Sequence, residues 1–170
     1  MHRELKTAKT GGFTLAEVII VVTIIAIAAM VAVPMFSGAG TVKAKSGANR
    51  LIADMEYAKS VAITRGTMIT VRFASDGGSY QIEDSGGVIE DPYKSDSNYV
   101  VDMSGDGSLE GVSVSAVDFN GGRVVKFDYL GVPYDEGGYE IYNGSVTLSG
   151  GGVSYTVNVE PVTGYISISE

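Results

Sequence analysis

From Val18 to Val42 the chain carries no charged side chain, a run of 25 residues dominated by Val, Ile and Ala. A helix rising about 1.5 Å per residue spans the ~30 Å hydrocarbon core of a bilayer in about 20 residues, so this run is a membrane-span candidate. Glu17 stands at its edge, inside Gly12-Phe13-Thr14-Leu15-Ala16-Glu17-Val18-Ile19-Ile20-Val21-Val22. An acid in lipid costs up to ~2.5–3.5 kcal/mol at mid-bilayer and less near an end. A carboxylate retained there points to a partner charge, which need not belong to the same chain.

Outside this run the 170-residue chain has room for about one domain of ordinary size. It has no cysteine, which removes disulfides and thiolate chemistry together. Its 23 glycines concentrate after residue 65, as expected of many turns between short strands. Residues 1–12 carry Arg3, Lys6 and Lys9 against Glu4, and the remainder has 9 basic and 19 acidic side chains, a balance of −10. That excess repels phosphate backbones, and no run of Lys or Arg offsets it, so nucleic acid is disfavoured as a partner.

Three readings fit the N-terminal segment. A secretory signal would use the basic start, the apolar run and Ala26-Ile27-Ala28 for cleavage, but the run is longer than a usual signal core and Glu17 interrupts its start. A plain single-pass anchor fits the charge asymmetry. Basic residues precede the span and none follows it before Lys43, which places the N-terminus in the cytoplasm. That reading leaves Glu17 unexplained.

The third reading accounts for every residue. Gly12 followed by Phe13-Thr14-Leu15-Ala16-Glu17 and an aliphatic helix resembles the class III signal of type IV pilins and type II secretion pseudopilins. The resemblance implies that a membrane-embedded prepilin peptidase cuts between Gly12 and Phe13, that Phe13 becomes an N-methylated terminus, and that Glu17 is the family's acid. Four residues span about 6 Å of helix, so Glu17 lies one turn from Phe13. Its carboxylate can pair with the Phe13 ammonium of a neighbouring subunit, and a charge pair in lipid costs less than two lone charges. Ala16 departs from the leucine common at that place. Pro34 adds to the resemblance: it removes a backbone donor and crowds the carbonyl of Met30, so a kink or the end of the span is expected there. Gly38 and Gly40 weaken the helix further, by about 1 kcal/mol each relative to Ala.

Beyond the glycines the pattern predicts an amphipathic helix from about Thr41 to Arg65. Ala44, Ala48, Leu51, Met55, Ala58 and Ala62 recur at spacings of three and four with Ile52 alongside. Arg50, Asp54, Glu56 and Lys59 fall on the other face, with Arg50 and Asp54 able to pair at i,i+4. Arg65-Gly66 reads as its C-terminal stop. The period then changes to two. Ile69, Val71 and Phe73 alternate with polar residues, Asp76-Gly77-Gly78 turns into Tyr80-Gln81-Ile82, and further strands are expected at 99–103, 112–119, 123–129, 139–142, 146–148, 153–159 and 165–169. These elements predict an α+β fold: a long N-terminal α-helix, apolar then amphipathic, packed on antiparallel β-sheet, as in pilins.

The stretches Ala58–Phe73, Phe127-Asp128-Tyr129-Leu130-Gly131 and Thr163-Gly164-Tyr165-Ile166-Ser167-Ile168 resemble the GspH/FimT subfamily of minor pilins and pseudopilins. The expected organisation is a cytoplasmic leader at 1–12, an apolar membrane and filament-core helix at 13–40, and a periplasmic globular domain at 41–170. The resemblance implies partners: other subunits of the filament, the prepilin peptidase and methylase, an inner-membrane assembly platform, and the lipid bilayer before assembly.

Enzymatic chemistry is not expected. The only histidine is His2, in the leader, so the processed chain lacks Ser-His-Asp and Cys-His systems and the usual zinc ligands, and no cofactor is anticipated. Gly38-Ala39-Gly40 lacks the third glycine of a dinucleotide loop, and the acid pairs Glu83/Asp84 and Asp135/Glu136 read as solvated surface. Asp102, Ser104, Asp106 and Glu110 alternate as in a calcium loop, but Ser113 holds the place of the bidentate acid, so calcium site and simple turn both remain open. The segment from Ser85 to Asn98 is a candidate contact loop. The function expected is that of a minor pseudopilin of type II secretion. The alternatives are a type IV pilus minor pilin and, from another class, a membrane-anchored periplasmic binding module.

Overall fold

The computed structural model describes residues 12–170, the side chains of 31–39 excepted. Of the expected leader only Gly12 is described, and the kink expected at Pro34 lies outside the described side chains. Helix α1 spans Leu15–Arg65. The chain divides into two compact units at Ser37/Gly38.

In the first unit, Thr14 caps the helix: its Oγ1 accepts from the Glu17 backbone N–H at 3.2 Å, and its carbonyl accepts from Val18 N–H. No helix among the described residues is long and apolar enough to cross a membrane. The charge-free run includes residues 31–39, whose side chains are outside that description.

In the second unit, the expected helical stripe is buried throughout. Ala44, Ala48, Leu51, Met55, Ala58 and Ala62 are all fully enclosed. The small residues of this stripe let sheet backbones approach the helix closely. The tightest place is Gly40 against Gly151, where a Cβ on either residue would collide with the other's backbone. The helix ends as expected at Gly66, whose φ of 64° suits glycine, while Thr67 N–H donates to the Ala62 carbonyl.

Two antiparallel sheets supply the rest. The first contains β1 (Ile69–Phe73), β2 (Ser79–Asp84), β3 (Gly87–Val88), β4 (Val100–Asp102), β6 (Val124–Phe127) and β7 (Pro133–Tyr134). Its order is β3-β2-β1-β6-β7, with β4 also paired to β2. The second runs β10-β9-β8-β5, from β5 (Ser113–Phe119), β8 (Gly144–Gly150), β9 (Val153–Val159) and β10 (Ile166–Ser169). Alternation along β1 and β8 buries every second residue, so Ile69, Val71, Phe73, Val146 and Leu148 join the helix stripe in one core. Chain order of a long helix followed by antiparallel strands has become the α+β architecture expected from the change of period.

Two expectations need correction. Residues 139–142 form no strand, only an isolated bridge from Glu140 to Tyr134. Asp135 closes a tight loop instead, its N–H donating to the Tyr139 carbonyl and its Oδ1 accepting from Tyr139 N–H, which leaves Tyr139 and Tyr142 in solvent. The strand expected at 146–148 is longer, running as β8 from Gly144 to Gly150. The two-residue strands β3 and β7 are too short to carry any periodic signal.

Candidate functional site

At the N-terminal end, Gly12 has open space where a Cβ would stand, and Phe13 is 83% exposed. Glu17 sits in the first turn of α1, where the helix dipole favours an anion. Thr14-Leu15-Ala16-Glu17 has the spacing of an N-terminal capping sequence, a local signal for where the helix begins. Every described side chain from Gly12 to Met30 is exposed, the aliphatic ones included. An apolar surface this continuous is built for lipid or for other chains. Among the described residues Glu17 has no ion pair, so the geometry leaves its carboxylate open to one from outside.

The second site lies in the globular unit and revises a residue assigned to the solvent face. Asp54 is only 4% exposed. Its Oδ2 accepts from the Tyr80 hydroxyl at 2.5 Å, its Oδ1 from the Tyr99 hydroxyl at 2.9 Å, and Arg50 Nε reaches both oxygens at 3.1 Å. The Arg50–Asp54 pair forms as predicted, but Asp54 is turned to a sheet while Arg50 stays partly in solvent. The signal available was Gly47-Leu51-Asp54-Ala58, a spacing of four, three and four that continues the buried stripe around its edge. Tyr80 and Tyr99 could not be found that way, since they come from β2 and from the residue before β4. Burial, reinforced by the Asp54 charge and hydrogen bond, pushes both tyrosine hydroxyls above their ordinary range. The Arg50 guanidinium is likewise held above its ordinary value: burial opposes this most strongly, and Asp54, Tyr80 and Tyr99 together outweigh it. With its oxygens engaged by three donors, Asp54 serves as a clamp between helix and sheet.

A third constellation joins the two loose subfamily patterns. Asp128 Oδ1 accepts from Leu130 and Val132 N–H, closing a turn that holds Tyr129 and Leu130 in solvent. Gly164 packs against the Gly131 carbonyl, and Lys59 donates to the Gly164 carbonyl at 2.9 Å while pairing with Glu56 at 2.8 Å. The patterns at 127–131 and 163–168 therefore meet beside the end of the helix.

The calcium-like spacing resolves into two local turns. Asp102 Oδ1 accepts from the Ser104 N–H and hydroxyl and from Gly105 N–H, and Asp106 Oδ1 accepts from the Ser108 N–H and hydroxyl. These bonds hold both carboxyls below their ordinary value. Glu110 pairs with Lys43 at 3.9 Å. Among the described residues no cluster of three or more His, Cys, Asp or Glu could hold a metal ion. Open grooves of about 440 and 350 Å³ flank Arg50 and Lys94 and carry Asp102, Asp106 and Asp91 on their walls, a mixed-charge surface without a dominant ligand chemistry. In the segment from Ser85 to Asn98, Asp91 is buried and accepts from Tyr93 N–H, while Tyr93 itself is exposed.

Residues 47–163 match the family model of the type II transport protein GspH, and residues 7–33 match the prokaryotic N-terminal methylation motif. No curated protein matches the chain. Among solved structures, the minor pseudopilin EpsH of the Vibrio cholerae type 2 secretion system is similar at 12% identity and a TM-score of 0.53, over 75% of this chain and 96% of that one. The type IV minor pilin FimU of Pseudomonas aeruginosa is similar at 14% identity and a TM-score of 0.52, over 76% of this chain and 90% of that one. Both likenesses concern the fold.

Proposed function

The chain belongs to the family of the type II transport protein GspH, and from that premise we propose that it is a minor pseudopilin, cut between Gly12 and Phe13 and built into a pseudopilus that aids protein export. The observation that carries this reading is the pairing of a GspH domain at 47–163 with a methylation motif at 7–33 in one chain. Members of this superfamily are structural subunits, anchored in a membrane and then assembled into a filament. Their role is assembly and transmission of movement rather than catalysis, and their partners are other pilins and the processing peptidase.

Before assembly the protein spans the inner membrane once, with its N-terminus in the cytoplasm and residues 41–170 in the periplasm. The exposed Gly12–Phe13 bond, with open space around Gly12, suits a peptidase. Cleavage creates the Phe13 ammonium, which is methylated and pairs with Glu17 of a neighbouring subunit. The fold serves secretion pseudopilins and pilus subunits alike, whereas the family match favours secretion.

Intact mass of the membrane-extracted protein tests the reading. The expected mass is that of a chain beginning at N-methylated Phe13, with Gly12→Val left as the longer precursor. Retention of Met1, or cleavage near Ala28, overturns it in favour of an anchored binding module or a secreted protein.

A further inference from the structure

Sheet edges expose unpaired backbone groups, and proteins guard them with short strands, proline, charge or bulges. Among the described residues five strands lie at edges, and four are guarded. β3 and β7 have two residues each, with Pro133 in β7. β4 has three and ends on Asp102. β5 carries a bulge between Val114 and Ala116, contains Asp118, and has its Val114 N–H donated to Gly77. β10 has no proline, bulge or charge within its four residues, Glu170 coming after it. It reads Ile166-Ser167-Ile168-Ser169, pairs in register with β9 and has no other partner among the described residues.

The register shows which groups are open. Glu160 N–H donates to the Tyr165 carbonyl, so Tyr165/Glu160 is a hydrogen-bonded pair. Such pairs alternate along an antiparallel ladder, which makes Ser167/Asn158 the next. The N–H and C=O groups of Ile166 and Ile168 consequently point outward, and neither residue has another backbone partner among the described residues. Beside this edge is a notch of about 220 Å³ lined by Lys45, Tyr155, Ile168, Ser169 and Glu170. Ile168 is 37% exposed in it, and the Glu170 side chain shares its wall with Tyr155. Lys45 is exposed and has no ion pair among the described residues.

We propose that the outer edge of β10 is a strand-addition site for an extended segment of another protein, which sets an apolar side chain beside Ile168 and a carboxylate toward Lys45. Main-chain bonds to Ile166 and Ile168 supply the attraction, while the notch and Lys45 select the sequence. A second copy fits less well. Twofold antiparallel pairing of two β10 strands sets each Glu170 near the other's Ile166, at the opposite end from Lys45, and brings together two domains with a large acidic excess. Strand addition requires only the folded domain and stands apart from how the apolar helix assembles.

The test uses the full chain in detergent and an acetylated probe peptide, Thr-Val-Thr-Val-Thr-Glu, with backbone amide exchange read residue by residue. Addition of the peptide is expected to slow the Ile166 and Ile168 amides about tenfold, and to change Ser167 and Ser169 much less. Replacing the terminal Glu of the probe by Gln, or Lys45→Gln in the protein, is expected to weaken binding several-fold. A probe N-methylated on the residues facing β10 is expected not to bind. No slowing at Ile166 and Ile168 with millimolar peptide, or equal binding by the methylated probe, overturns the proposal. Slowing of the same amides with protein concentration alone assigns the edge to a second copy and overturns it as well.

Discussion

Asp54 is held by three donors from three parts of the chain: Arg50 one turn back on α1, Tyr80 on β2, and Tyr99 ahead of β4. Removing the carboxylate while leaving its donors strands two buried hydroxyls and half of an ion pair. Asp54→Ala is therefore expected to destabilise the domain by about 3–5 kcal/mol, measured by denaturation of the full chain in detergent. Tyr80→Phe removes one donor and should lose about 1–2 kcal/mol. The tyrosines also set an alkaline limit. Their hydroxyls ionise less readily when folded than at the ordinary value of 10.0, so above that pH the unfolded state loses protons first. The stability they contribute is complete below about pH 10 and falls as the pH rises further. Melting temperature against pH should drop steeply there, and less steeply in Tyr80→Phe.

Helix α1 carries different constraints along its length. Near its start Thr14 caps the first turn and Glu17 follows an open Gly12–Phe13 bond, with aliphatic side chains uncovered beyond. Glu17→Val removes a charge that lipid disfavours, so insertion should be equal or better, while incorporation into filaments falls because the Phe13 ammonium loses its partner. Pull-down of assembled filaments measures this, and normal incorporation of the variant would show the charge pair to be dispensable. At Gly40 the helix meets the β8–β9 hairpin at Gly151 with no room for a methyl group. Gly40→Ala raises helix propensity by about 1 kcal/mol yet forces these backbones apart, so a lower melting temperature is expected. A higher one would mean that the contact yields easily.

For the whole molecule, the chain has an acidic excess, no cysteine and a single histidine, His2, so carboxylates dominate its titratable surface. Acid should loosen the 102–108 turns before it neutralises the surface generally. Hydrogen bonds from Ser104 and Ser108 hold Asp102 and Asp106 below the ordinary 3.8, so the stability they add is present above about pH 4 and is lost as the pH falls through their folded values. Thermal melts between pH 6 and 2.5 should show this, with a smaller loss in Asp102→Asn. The same melts at pH 6 should be unchanged by millimolar calcium, because Oδ1 of Asp102 and of Asp106 already accepts local bonds and Glu110 pairs with Lys43.

Much of this was legible in the chain. The apolar run, the Gly12–Glu17 signal, the helical stripe and the change from period 3.6 to period 2 are local patterns, each readable within about a dozen residues. They determine the α+β class, the helix stop at Gly66 and the superfamily. What only the tertiary structure decided rests on contacts between residues far apart in sequence: Asp54 with Tyr80 and Tyr99, Gly40 with Gly151, the meeting of the 127–131 and 163–168 patterns beside Lys59, and the choice of β10 as the unguarded edge. Periodicity assigns a residue to a face but does not say how wide the buried face is or which strand ends at a sheet border. Those depend on how two sheets wrap one helix, a property of the packed chain rather than of any window along it.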